Sequence, residues 1–163
     1  HMVSMGFDSE IVQAVSTDRA GPVGKQGYLL PLLRTIASYR APEISLTVDG
    51  VPQLQRERGY LIAANSGQYA GGVRPVPEAS CAQNRLHARF YPYPSILKHL
   101  PWLFAYPGWR AVDSAQSRHF CGSEFKIALS DLTYPIQADG DLIGRGSCRI
   151  RAAERAIRVL SGR

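Results

Sequence analysis

Ile44, Leu46 and Val48 alternate with Ser45 and Thr47, Asp49-Gly50 follows, and a second extended run occupies Gln53 to Asn65. A period of two needs a sheet with one dry and one wet face, and Asp-Gly is the dipeptide that turns one strand back onto the next. The same pattern recurs. Arg85 to Tyr91 sets Leu86, Ala88 and Phe90 against Arg85, His87 and Arg89. His119 to Leu129, Tyr134 to Ala138 and Ser147 to Arg151 read as further strands, the last two flanking a turn at Asp139-Gly140, and Ala156 to Leu160 reads as a final one. Leu61 to Ala64 is continuously apolar, which predicts burial on both faces.

Helical signals are fewer. Val3 to Phe7 reads as a short strand broken by Gly6, with Asp8 or Ser9 capping a helical turn through Val15. Leu29, Leu32, Leu33 and Ile36 share one helix face, and that helix stops near Arg40, before Ala41-Pro42. Pro92 to Trp109 reads as a second helix interrupted by Pro101. Strands that do not alternate regularly with helices argue against a doubly wound parallel sheet. The expectation is a mainly β fold, a two-sheet β-sandwich with two helical insertions.

The 163 residues make one domain, with 45% hydrophobic and 20% charged residues, so the chain is neither disordered nor fibrous. His1-Met2 reads as a cloning scar, which leaves residues 3–163 as the domain, and its abrupt start suits a piece of something longer. No apolar run approaches the ~20 residues that span a bilayer, and the start lacks a secretory signal pattern. Cys81, Cys121 and Cys148 are far apart and form no CxxC pair, which predicts free thiols in a reducing, cytoplasmic compartment. The net charge of +6 favours anionic partners.

Four features carry chemistry. Asn65 to Gly72, NSGQYAGG, brings a strand into paired glycines where backbone amides can face a ligand; the bland reading is a tight strand connection. Asp139-Gly140-Asp141 offers two carboxylates two positions apart, for a base and its partner, against the reading of a plain hairpin turn. Met5-Gly6-Phe7-Asp8 marks either a bulge beside a ligand or a strand end with a helix cap. The aromatics between Tyr91 and Trp109, with Lys98, His99 and Arg110 interleaved, suit core packing or a membrane surface better than nucleic acid. Dinucleotide, P-loop, nucleophile-elbow and HExxH motifs are absent.

In this order, SMGFDSEIV, AANSGQYAGGVRPVPEAS and QADGDLI resemble the C-terminal half of the diacylglycerol kinase-like lipid kinases, which include bacterial diacylglycerol and phosphatidylglycerol kinases, sphingosine kinases and ceramide kinases. The resemblance runs from about Val3 to Leu160. It implies a C-terminal β-sandwich that receives the lipid, partnered by an N-terminal nucleotide-binding domain carrying G-G-D-G-T, a motif not found here. ATP and Mg2+ would act in the full-length enzyme, with none held tightly by this part, which would not transfer phosphate alone. Asp139 matches the general base and Asp141 stands for the family's glutamate. Gly6, Phe7, Asp8, Asn65, Gly67, Gly71 and Gly72 would line the interdomain cleft. One position departs from the pattern: Gln83 stands where an aspartate would help hold a structural magnesium, and an amide oxygen is a poorer partner for a hard cation.

The implied partners are a lipid substrate, the chain's own N-terminal half and an anionic membrane surface, with the protein peripheral at the inner membrane face and no nucleic acid bound. Oligomeric state stays open, a homodimer included. An NAD-kinase-like protein would carry a G-S-T-A-Y-type element, which is missing, and a lipid-binding or regulatory β-domain without catalysis is the non-enzyme alternative.

Overall fold

The computed structural model describes residues 2–17, 38–68, 74–93 and 117–153. Among these residues nine strands and one helix run in the order β1 (Met2–Met5), α1 (Phe7–Thr17), β2 (Glu43–Val48), β3 (Val51–Ala64), β4 (Leu86–Pro92), β5 (Arg118–Gly122), β6 (Glu124–Leu129), β7 (Pro135–Ala138), β8 (Asp141–Arg145) and β9 (Cys148–Arg151). The fold is mainly β. The sheet follows the path β8-β7-β1-β3-β2-β6-β9, and β4 joins β3 to β5. Every strand pairing among the described residues is antiparallel.

The 14-residue β3 links two faces of this curled sheet. Its first half pairs with β2, and its second half pairs with β1 on one side and β4 on the other. Between the halves, Arg56 sits at φ 49° with its amide turned to the Ser45 hydroxyl, and the β2–β3 register shifts there. Such a bulge bends a strand and increases its twist. The curl closes over a core of Met5, Ile44, Leu46, Leu54, Leu61, Phe90, Phe125, Ile127 and Ile136. Each fully buried side chain of this kind contributes roughly 1.5–3 kcal/mol, so the core holds without disulfides. All three cysteines are free.

The alternating Ile44-Leu46-Val48 strand and the Asp49-Gly50 hairpin stand as read, with both turn residues at positive φ. Four expectations need correction. Gly6, not Asp8 or Ser9, precedes the helix, and the Ser9 hydroxyl reaches back to accept from Gly6 N and donate to Gly6 O. The run from His119 to Leu129 is two strands with a corner at Ser123, because the Asp49 carboxylate takes the amides of Ser123 and Glu124. Strand β8 was hidden by its exposure: it lies on the sheet edge, pairs with β7 across the Asp139 turn, and leaves β9 to pair with β6. Finally, β4 is buried on both faces despite its alternation, with His87 and Arg89 inside. Most of residues 29–40 and 94–109, read as helices, and all of 156–160, read as a strand, lie outside the described residues.

Candidate active site

Strand β1 orders the site. It lies between β3 and β7, with Met2 opposite Ala64, Met5 opposite Leu61, Val3 opposite Ala138 and Ser4 opposite Gln137. The Asp139-Gly140 turn therefore sits at the Met2 end of β1, beside the point where Ala64 leads into Asn65-Ser66-Gly67. Asp139 and Gly140 have φ 51° and 96°. Asp139 N donates to Met2 O at 3.1 Å, and Asp139 Oδ1 accepts from Met2 N at 2.8 Å. Both contacts are to backbone, so the identity of residue 2 matters little to them. Asp139 and Asp141 are solvent-exposed. Strand alternation does not govern the pair, since Asp139 lies in the turn and only Asp141 in a strand.

Gly67 is buried on the same end, where a Cβ would stand 3.0 Å from the Ala79 carbonyl oxygen. Gly71 and Gly72 lie outside the described residues. Gly6, Phe7 and Asp8 occupy the opposite end of β1, ~10 Å along the strand. Gly6 has φ 141°, and a Cβ there would lie 2.3 Å from Tyr60 Cδ2. Phe7 is buried edge-on against Tyr39, with ring centroids 5.4 Å apart.

The two ends are joined through Asp8. Its Oδ2 accepts from Ser4 Oγ at 2.5 Å and from Gln137 Nε2 at 2.8 Å. Burial raises the Asp8 pKa, against hydrogen bonds from Ser4, Tyr60 and Gln137. Gln137 is fully buried. Ser4 and Gln137 escape sequence reasoning because nothing in Tyr-Pro-Ile-Gln-Ala distinguishes an inward glutamine from an outward one. Its one signal is its place two residues before Asp139. Glu10, two residues further along α1, accepts from Tyr134 Oη at 2.6 Å, and burial raises its pKa too.

A second polar cluster lies where Glu78 and Gln83 approach β4. The Arg89 guanidinium, nearly buried, grips Glu78 through Nε and Nη2 and donates to Ser117 Oγ at 2.8 Å. Desolvation opposes the Glu78 charge, but the Arg89 bonds outweigh it with a backbone contact, and the pKa falls below the usual glutamate value. Gln83 Oε1 accepts from His87 Nε2 at 2.8 Å, so His87 Nδ1 accepts from His119 Nε2 at 3.0 Å. Desolvation and the neighbouring His119 lower the His87 pKa. The oxygens that a structural magnesium would need are thus engaged by protein donors, and the cluster does not fit that ion. Among the described residues no group of three His, Cys, Asp or Glu side chains is arranged to hold a metal.

The family model of the YegS C-terminal NAD kinase beta sandwich-like domain matches residues 1–161. This chain belongs to that family. No curated protein shows significant similarity to it. The YegS-type domain shares its fold with a diacylglycerol kinase from Bacillus anthracis str. Sterne, at TM-score 0.54 and 16% identity over 93% of this chain and 49% of the other. Two further solved structures from that organism give TM-scores of 0.53 and 0.55 at 18% and 17% identity, covering 92% and 93% of this chain and 47% and 50% of their own. The chain spans about half the length of each. Among the described residues no helix is long and apolar enough to cross a membrane.

Proposed function

We propose that this YegS-type domain is the substrate-side half of an ATP-dependent lipid kinase, with Asp139 as the general base toward a lipid hydroxyl. The observation that carries the reading is an exposed carboxylate on a turn whose backbone is fixed at both residues. In phosphoryl transfer the protein's work is positioning and charge neutralisation. Asp139 takes the proton of the hydroxyl as its oxygen bonds to the transferred phosphorus and the bond to the departing nucleotide breaks. ATP and Mg2+ belong with the nucleotide-binding half, and Asn65 and Gly67 lie at the same end of the sheet as Asp139. Family membership and the fold shared with a diacylglycerol kinase support the assignment.

The test is labelled-phosphate transfer by the full-length protein to diacylglycerol, phosphatidylglycerol, sphingosine and ceramide, with Asp139→Asn beside the parent. Transfer by the parent and its loss in the variant are expected. Equal transfer by both would remove the base from the mechanism. Binding of these lipids with no transfer by the parent would favour a lipid-binding domain without catalysis. Docking on an anionic membrane is tested separately, by co-sedimentation with anionic vesicles over a salt series, where binding should weaken as salt rises.

A further inference from the structure

We propose that Gln137 is a positioning residue for Asp139, clamping the base-bearing turn to the start of α1 through Ser4 and Asp8. This deepens the kinase reading and rests on Asp139 being the base.

Gln137 is fully buried in β7, where an amide is tolerated only if its hydrogen bonds are made. They are. Its Nε2 donates to Ser4 Oγ at 2.6 Å and to Asp8 Oδ2 at 2.8 Å. Its Oε1 accepts from Gly140 N at 2.9 Å. Ser4 Oγ donates to the same Asp8 oxygen at 2.5 Å, closing a three-membered ring of side chains. Gly140 N is the inner amide of the turn. With Asp139 N bonded to Met2 O, both turn amides are thereby anchored to groups outside the turn's own backbone.

A hairpin does not need this clamp. Asp49-Gly50 has similar φ angles, 48° and 86°, yet the residue two places before its aspartate is Thr47. Threonine lacks the length and the paired donor and acceptor of glutamine. A non-glycine residue at positive φ persists where its surroundings hold it. At this turn Met2 holds Asp139 itself, and an otherwise awkward buried amide holds the neighbouring Gly140 N. A valine or leucine would fill the same sheet position without demanding three partners. The arrangement makes sense if the direction of the Asp139 carboxylate matters, since an error of about 1 Å at a reacting group can lower a rate 10²-fold.

The inference is tested in the full-length protein with Gln137→Met, Gln137→Glu and Asp139→Asn. Gln137→Met should lower kcat by about 10- to 100-fold with the lipid KM within about twofold of the parent, and should raise amide exchange at Gly140. Gln137→Glu keeps the size and the acceptor for Gly140 N, but donates to Asp8 only when a proton is shared between the two carboxyls. Asp8 is the titratable group bonded to position 137. Tyr60 also reaches the Asp8 carboxyl, and its charge is felt at Tyr39 and Tyr134, which flank Glu10. The kcat of Gln137→Glu relative to the parent should therefore rise as pH falls from about 8 to about 6, with circular dichroism unchanged. A purely structural glutamine would leave that ratio flat. An unchanged kcat in Gln137→Met, beside an inactive Asp139→Asn, overturns the positioning role and leaves the base in place. If Gln137→Met does not fold, a flat ratio for Gln137→Glu overturns it instead. Full activity in Asp139→Asn overturns the base assignment and this inference with it.

Discussion

Asp49-Gly50 and Asp139-Gly140 are the same dipeptide with similar positive φ angles, and the fold uses them differently. The Asp49 carboxylate faces the backbone of the β5–β6 corner. It accepts from Ser123 N at 3.0 Å and Glu124 N at 2.8 Å, and so makes the corner between β5 and β6. The Asp139 carboxylate accepts from Met2 N, while Gln137 and Met2 hold its turn from outside. The dipeptide sets the turn. The partners, which come from 74 and 137 residues away, set what the carboxylate does.

The widest separation between the two turns should come from activity. In the full-length protein Asp139→Asn should lower phosphate transfer by about 10²–10⁴-fold, the usual contribution of a general base. The substituted amide keeps an oxygen for Met2 N, so the thermal midpoint should change little. Asp49→Ala should leave kcat within about twofold, since its partners are structural. A comparable kinetic loss in both would collapse the contrast.

Stability should reverse the ranking. Asp49→Ala strips two amides of their acceptor and should lower unfolding stability by about 1–3 kcal/mol in urea titration. Asp139→Ala removes one backbone partner and should cost roughly half as much. Gly50→Ala and Gly140→Ala then probe the backbone alone. Nothing lies within 4 Å of an added Cβ at either site, so the two should cost the same, about 1 kcal/mol, from positive φ. Unequal losses would show that the turns differ in conformation and not only in partners.

Acid should act with opposite sign on the two sides, the smallest effect of the set. His87, on the β4–β5 side that the Asp49 corner completes, has a folded pKa below 6.5. Its unfolded form binds the proton first, so stability is lost as pH falls below 6.5 toward the folded value. Asp8, behind the Asp139 turn, has a folded pKa above 3.8. Its contribution is full below 3.8 and is lost as pH rises through the folded value. His87→Gln should therefore flatten the acid limb of a melting-temperature profile, while Asp8→Asn should gain on the parent as pH rises. EDTA should shift neither curve, because Glu78 and Gln83 are engaged by Arg89 and His87.

Local chemistry was readable where one segment decides the outcome. Alternation located β2 and the extent of β4 but not the burial of its second face, and Asp-Gly located both turns but not β8. The order of motifs pointed to the family that the comparison then showed. Reading stopped where the deciding partner is remote. Ser123 turns a corner because Asp49 reaches it, and β8 is a strand only because β7 lies beside it. The buried faces of His87 and Arg89 depend on Gln83, Glu78 and Ser117. Asp8 looked like a residue of the cleft in sequence, and its Oδ2 is bonded to Ser4 and Gln137. Gln137 itself carried no mark, since burial of a polar side chain is a property of the assembled sheet.

Strand β3 has a consequence for how the domain comes apart. Because one continuous segment is hydrogen-bonded to β1, β2 and β4, the two halves of the sheet should melt together. Amide exchange in β1 and in β2 and far-ultraviolet dichroism should then report a single coincident transition, with no half-open species between. Loosening the bulge at Arg56 would weaken that coupling and let the Asp139 end fray by itself.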